Sequence, residues 1–130
     1  MKYSIDKEPK YILLKFHEER LDATVSPEVK ATFISLNAEG MRNLVLDLSE
    51  VKYVDSSGLS ALLIANRLCS DAGGSLILAA LTDHVMKLIK ISQLEKVLTL
   101  LPTVEEAVEH IFMTELENDL RAGQEDVEDE

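Results

Sequence analysis

Two short apolar runs, at residues 44–48 (Leu-Val-Leu-Asp-Leu) and 75–80, stand on either side of a helical pattern at residues 57–72 that Gly73 and Gly74 close. Apolar side chains at consecutive positions suit a strand covered on both faces, and such strands belong to parallel pairings joined by crossover helices. The segment therefore predicts a β-α-β unit and places the chain in the α/β class.

The flanks extend that frame. Residues 3–7 and 11–17 are β-type runs divided by Glu8 and Pro9, which predicts a hairpin. Ser26 and Pro27 read as an N-cap followed by proline at the first helical position, with Val29, Phe33 and Leu36 at helical spacing until Gly40. Thr82 is placed to cap a short helix bearing Val85, Leu88 and Ile89, and residues 96–101 leave room for an edge strand ended by Pro102. Thr103-Val104-Glu105-Glu106 then has the form of a capping box, opening a last helix with Val104, Ala107, Val108, Ile111, Phe112 and Leu116 along one face. The expectation is an α/β domain with a mixed sheet of about four to six strands and about four helices.

With 130 residues, two cores would leave about 65 each, near the lower limit of independent folding. One domain over residues 1–114 is expected, followed at 115–130 by the end of the last helix and a disordered acidic tail. The tail holds eight acids against Arg121, a net −7 of the chain's −11. Such a charge repels phosphate backbones and anionic lipid heads, so neither nucleic acid binding nor membrane insertion is expected. No window approaches the roughly 18 apolar residues of a membrane span. Acids and a proline interrupt residues 1–16 where a signal peptide needs an apolar stretch. The lone Cys69 excludes an intrachain disulfide, and with no Cys/His cluster no metal site is expected. Together these features predict a cytoplasmic location.

The segment that can carry chemistry is Val51-Lys52-Tyr53-Val54-Asp55-Ser56-Ser57-Gly58-Leu59, where an apolar strand leads into a polar turn and then into the second helix. Ser and Asp are favoured at helix starts because their oxygens accept bonds from unpaired backbone N–H groups, so a purely structural cap accounts for these residues on spacing alone. The helix that follows adds a second signal. Leu59, Leu62, Leu63 and Cys69 share one face, Ala61, Ile64, Ala65 and Leu68 lie nearly opposite, and Ser60, Arg67 and Asp71 form a narrow polar strip. One apolar face must cover the sheet, leaving the other for a neighbouring helix or a partner.

Residues 44–63, LVLDLSEVKYVDSSGLSALL, resemble the bacterial anti-sigma factor antagonists built on the STAS domain. The likeness continues at Leu21-Asp22-Ala23-Thr24 before the first helix and at Gly73-Gly74-Ser75-Leu76 before the next strand, and covers roughly residues 3 to 112. Two positions depart from the family pattern: Glu18-Glu19-Arg20 stands where glycine is common, and Gln93 where Ser-Gly-Leu is common. The resemblance implies that Ser56 accepts a phosphate and that Asp22, Thr24, Asp55, Ser57, Gly58, Ser60, Ile64 and Arg67 contact the partner. It further implies that the unphosphorylated protein sequesters an anti-sigma factor with serine kinase activity, releasing a sigma factor, and that a phosphoserine phosphatase is a candidate second partner. The alternative is a STAS adaptor or scaffold subunit, in a lipid-transport or stress-signalling complex, that works without the phosphorylation cycle.

Catalysis is not expected. A GxSxG elbow is absent, no motif links His17, His84 or His110 to Ser56 or Ser57, and neither GxxxxGK[ST] nor GxGxxG is present to cradle a nucleotide. No cofactor is expected either.

Overall fold

A computed structural model describes residues 1–128, with side chains up to residue 123. The elements follow the order β1 (Tyr3–Lys7), β2 (Ile12–Phe16), β3 (Arg20–Leu21), α1 (Ser26–Ala38), β4 (Leu44–Asp47), β5 (Tyr53–Val54), α2 (Ser56–Asp71), β6 (Leu76–Ala79), α3 (Asp83–Ile91), β7 (Thr99–Leu101) and α4 (Val104–Glu128). The main sheet has the order β1-β2-β4-β6-β7. β1 runs antiparallel to β2, and the remaining pairs are parallel. A separate two-stranded pair, β3 with β5, sets Arg20 beside Tyr53 and Leu21 beside Val54.

The apolar runs are explained by cover on both sides. From β4, Leu44 and Leu46 face one core with Phe16 and Leu78, where Val29 and Phe33 of α1, Ala61, Leu62 and Ala65 of α2, and Val85 and Ile89 of α3 pack. Val45 faces the other way with Ile77 and Ala79, against Ala107 and Ile111 of α4. Three helices thus cover one face of the sheet and α4 covers the other.

Several local expectations are corrected. Ser26 does not cap α1: Val25 holds the cap position, and Ser26 is buried within the first turn. The reason lies upstream, where the Asp22 carbonyl accepts the N–H groups of both Val25 and Ser26 and starts the turn early. Thr82 holds the N-cap position of α3, but its hydroxyl donates instead to the Val51 carbonyl at 2.8 Å, tying the helix start to the loop before β5. The capping-box residue Thr103 does accept the Glu106 N–H at 3.1 Å. The edge strand is shorter than residues 96–101, because Leu94–Lys96 forms a 3-10 turn. Gln93, at one of the two places that depart from the family pattern, has φ 59°. That left-handed geometry favours glycine and costs a side-chain-bearing residue roughly 1–2 kcal/mol.

The apolar residues of α2 form one buried stripe, Ala61, Leu62, Ala65 and Cys69, rather than two opposed faces. Leu59, Leu63, Ile64 and Leu68 are its half-buried margins. Burial alone pushes the Cys69 thiol up to about 12, so it stays a neutral core group.

Glu115, counted with the acidic tail, is 6% exposed and faces inward. Its carboxylate accepts Asn43 Nδ2 at 2.6 Å and pairs with Arg42. Asn43 also donates to the Lys10 carbonyl at 3.0 Å and accepts the Ser75 N–H at 2.9 Å, joining the β1–β2 turn, the start of β6 and α4 at one point. Glu115→Ala is expected to cost about 1–3 kcal/mol, because it leaves a buried amide donor unpaired. Urea denaturation checks this, and a change below about 0.5 kcal/mol would show that water replaces the carboxylate freely. The backbone of α4 continues to Glu128; the rest of the tail expected to be disordered, residues 129 and 130, lies outside the described residues.

Candidate functional site

The start of α2 is built from three neighbouring pieces of chain. The β3–β5 pairing brings the loop after Leu21 against Asp55, whose N–H donates to the Leu21 carbonyl at 3.2 Å. Asp55 is the N-cap, with an extended backbone (φ −97°, ψ −173°). One carboxylate oxygen accepts the Gly58 N–H at 2.9 Å and the Ser57 hydroxyl at 2.8 Å, while the other accepts the Ala23 N–H at 3.3 Å. The Gly58 N–H, followed by the Ser57 hydroxyl, holds the Asp55 carboxyl below the usual carboxylate range. Its capping contribution is therefore present above that range and is lost as pH falls through the depressed value.

Asp22 organises the adjoining loop by accepting both the N–H and the hydroxyl of Thr24. Gly58 is buried beneath that loop: a Cβ there would lie 2.1 Å from the Leu21 carbonyl oxygen and 2.8 Å from Val54 Cγ1. Only a residue without a side chain lets helix and loop approach this closely.

The two serines differ. Ser57 is half-buried and its hydroxyl is committed to Asp55. Ser56 is exposed at the first helical position, and its hydroxyl makes no hydrogen bond among the described residues. A phosphate on it would stand at the positive end of a helix of 16 residues. Ser60 and Ile64 follow, half-buried, one and two turns along α2, and Arg67 is exposed 3.9 Å from Asp71. Asp22, Thr24, Asp55, Ser57 and Gly58 are thus brought into one cluster with Ser56, while Ser60, Ile64 and Arg67 extend away from it along the helix.

Exposed neighbours from three separate elements escaped the sequence reading. The Tyr53 ring, two residues before Asp55, carries the Arg20 guanidinium 5.3 Å from its centroid and stacks on His84 at 6.2 Å. No spacing rule joins residues 20, 53 and 84. A second constellation involves His17, whose Nε2 lies 2.6 Å from Ser4 Oγ and whose Nδ1 lies 2.8 Å from Glu50 Oε2. This order of groups is that of an acyl-transfer relay. All three are solvent-exposed, however, and an enclosed, water-excluding site is what gives such a relay its strength. The contact ties the β1–β2 edge to the loop after β4, and the His17 hydrogen bond holds the Glu50 carboxyl below its usual range.

Among the described residues, no group of three His, Cys, Asp or Glu side chains could hold a metal ion, and no helix is long and apolar enough to cross a membrane.

A five-stranded mixed sheet with one helix opening on an exposed serine above a buried glycine defines a small α/β domain. The chain matches the family model for the STAS domain over residues 3–107 and belongs to that family. Its fold is similar to that of a Thermotoga maritima protein described as a candidate anti-sigma factor antagonist, at 20% identity and a TM-score of 0.77, covering 84% of this chain and 93% of that one. An anti-sigma factor antagonist from Mycobacterium paratuberculosis aligns at 19% identity and a TM-score of 0.75, covering 85% and 92%. The anti-sigma factor antagonist SpoIIAA in its unphosphorylated form aligns at 16% identity and 0.67, covering 85% and 97%. The phosphorylated form of SpoIIAA, a Bacillus cell fate determinant, gives 18% and 0.66, covering 85% and 99%.

Proposed function

We propose that this protein is an anti-sigma factor antagonist controlled by phosphorylation of Ser56. In its unphosphorylated form it sequesters an anti-sigma factor with serine kinase activity in the cytoplasm, and a sigma factor is released. Transfer of phosphate to Ser56 ends the binding, and a phosphoserine phosphatase restores it. The observation that carries this reading is the division of labour between adjacent serines: Ser57 is held by Asp55, whereas Ser56 presents a free hydroxyl to solvent. The existence of SpoIIAA in both phosphorylated and unphosphorylated forms supports a cycle of this kind on a shared fold. Asp22 and Thr24 beside the serine, with Ser60, Ile64 and Arg67 along α2, form the surface assigned to the partner.

The chemistry requires no change of fold. A phosphoserine adds about −1.5 to −2 charges, and the helix terminus together with the unpaired N–H groups of the first turn tolerates them. Incubation with the host's anti-sigma kinase and ATP is expected to label the parent protein and Ser57→Ala, and to leave Ser56→Ala unlabelled. Phosphopeptide mass spectrometry reads the position. Undiminished labelling of Ser56→Ala would remove Ser56 from the mechanism, and absence of labelling in the parent would favour the adaptor reading.

A further inference from the structure

We propose that the outward face of α4 is a second docking surface, whose occupant is a basic amphipathic helix of a partner protein. The inward side of α4 is fully used: Ala107 and Ile111 are buried against the sheet, and Glu115 is the last buried residue of the helix among those described. At four-residue spacing on another side stand Phe112, Leu116 and Leu120, with Met113 beside them, between 47% and 61% exposed. At 100° per residue these four span about 100° of the helix surface, a continuous apolar strip turned away from the core-facing side. The Tyr11 ring meets Phe112 edge-on at 6.1 Å and fixes the near end of the strip to the body. Anchors repeating over two turns are what a helix laid alongside requires.

Charge selects the occupant. Asp119 borders one side of the strip, Glu117 borders the other, and Glu109 lies one turn before it, all exposed. Residues 115–130 carry a net −7, so pairing with a second copy would set two such segments together. An anionic membrane surface is disfavoured by the same sign. A helix with Leu-like anchors flanked by Lys or Arg satisfies both the apolar strip and its acidic borders. Because α4 and α2 cover opposite faces of the sheet, such a partner could remain bound whatever occupies the Ser56 surface.

The test uses the full chain and two synthetic helical peptides of about 18 residues, five turns, with leucines at i, i+3, i+4 and i+7 spacing and either lysine or glutamate elsewhere. Fluorescence anisotropy is expected to show saturable binding of the lysine peptide, weakening at least about tenfold as salt is raised from roughly 50 to 300 mM. The glutamate peptide should not bind. Leu116→Gln with Leu120→Gln, which removes the apolar anchors without adding charge, should weaken the lysine peptide by at least about tenfold with unchanged melting, since both residues are exposed. Glu117→Lys with Asp119→Lys should shift preference towards the glutamate peptide while leaving the apolar strip intact. Equal binding of the lysine peptide to parent and both double variants overturns the proposal, as does equal binding of the two peptides to the parent. Sedimentation showing a dimer of the parent that Leu116→Gln with Leu120→Gln abolishes would assign the strip to a second copy and likewise overturn it.

Discussion

Ser56→Asp is expected to fold as the parent does and to bind the anti-sigma kinase about a hundredfold more weakly, a loss of about 2.7 kcal/mol. Ser56→Ala should bind normally and resist inactivation. Two effects of opposite sign meet at this residue. Within the protein, a carboxylate at the first position of α2 is favoured by about 0.3–1 kcal/mol, and the exposed site imposes no burial penalty. At the interface the same charge must lose water or face a surface matched to a neutral hydroxyl, which costs several times more. Aspartate supplies one charge where phosphoserine supplies nearly two, so the variant should fall short of the full switch. Melting and affinity measured on the same two variants separate the outcomes. Intact folding with parental affinity for Ser56→Asp would refute the electrostatic switch, and loss of folding would make Ser56 a structural residue instead.

The largest effect on stability is expected from Gly58→Ala, at about 3 kcal/mol, or a fall in Tm of roughly 10 °C for a chain of this length. The new methyl group would meet the Leu21 carbonyl at 2.1 Å, and that carbonyl already accepts the Asp55 N–H. Neither side can retreat alone, because the β3–β5 pairing holds both. Gly40→Ala provides the contrast: nothing lies within 4 Å of its added Cβ, and only its φ of +103° opposes a side chain. Its cost should be nearer 1 kcal/mol. Chemical denaturation of the two variants side by side decides the matter. A loss below about 1 kcal/mol for Gly58→Ala would mean that the Asp22–Thr24 loop is not fixed on α2.

What could be read from sequence was whatever a short window contains. β4 and β6 announced themselves because both their faces are covered, which removes polar residues from consecutive positions. Asp55, Ser56, Ser57 and Gly58 were legible for a similar reason, since a helix start is specified within four residues. The misassigned cap at Ser26 shows where a local rule fails: the upstream Asp22 carbonyl accepts the Val25 and Ser26 amides and starts the turn one residue early, which leaves Ser26 inside the first turn rather than at the cap. Longer links left no trace. Glu115 reads as one acid among many until Asn43 and Arg42, more than seventy residues away in the chain, turn it inward. The Arg20–Tyr53–His84 stack likewise exists only because β3 pairs with β5 and α3 returns beside them.

The margins of the sheet limit how any partner can approach. β7 contributes three residues and is followed at once by Pro102, which lacks a backbone donor, while β1 carries Asp6 and Lys7 along its outer strand and leads to Pro9. Short or charged edges next to proline discourage strand addition, the recognition mode that reads backbone and is largely indifferent to side-chain chemistry. The helices are left as the surfaces on which side chains, and under the proposed function the Ser56 hydroxyl, would decide what a partner meets.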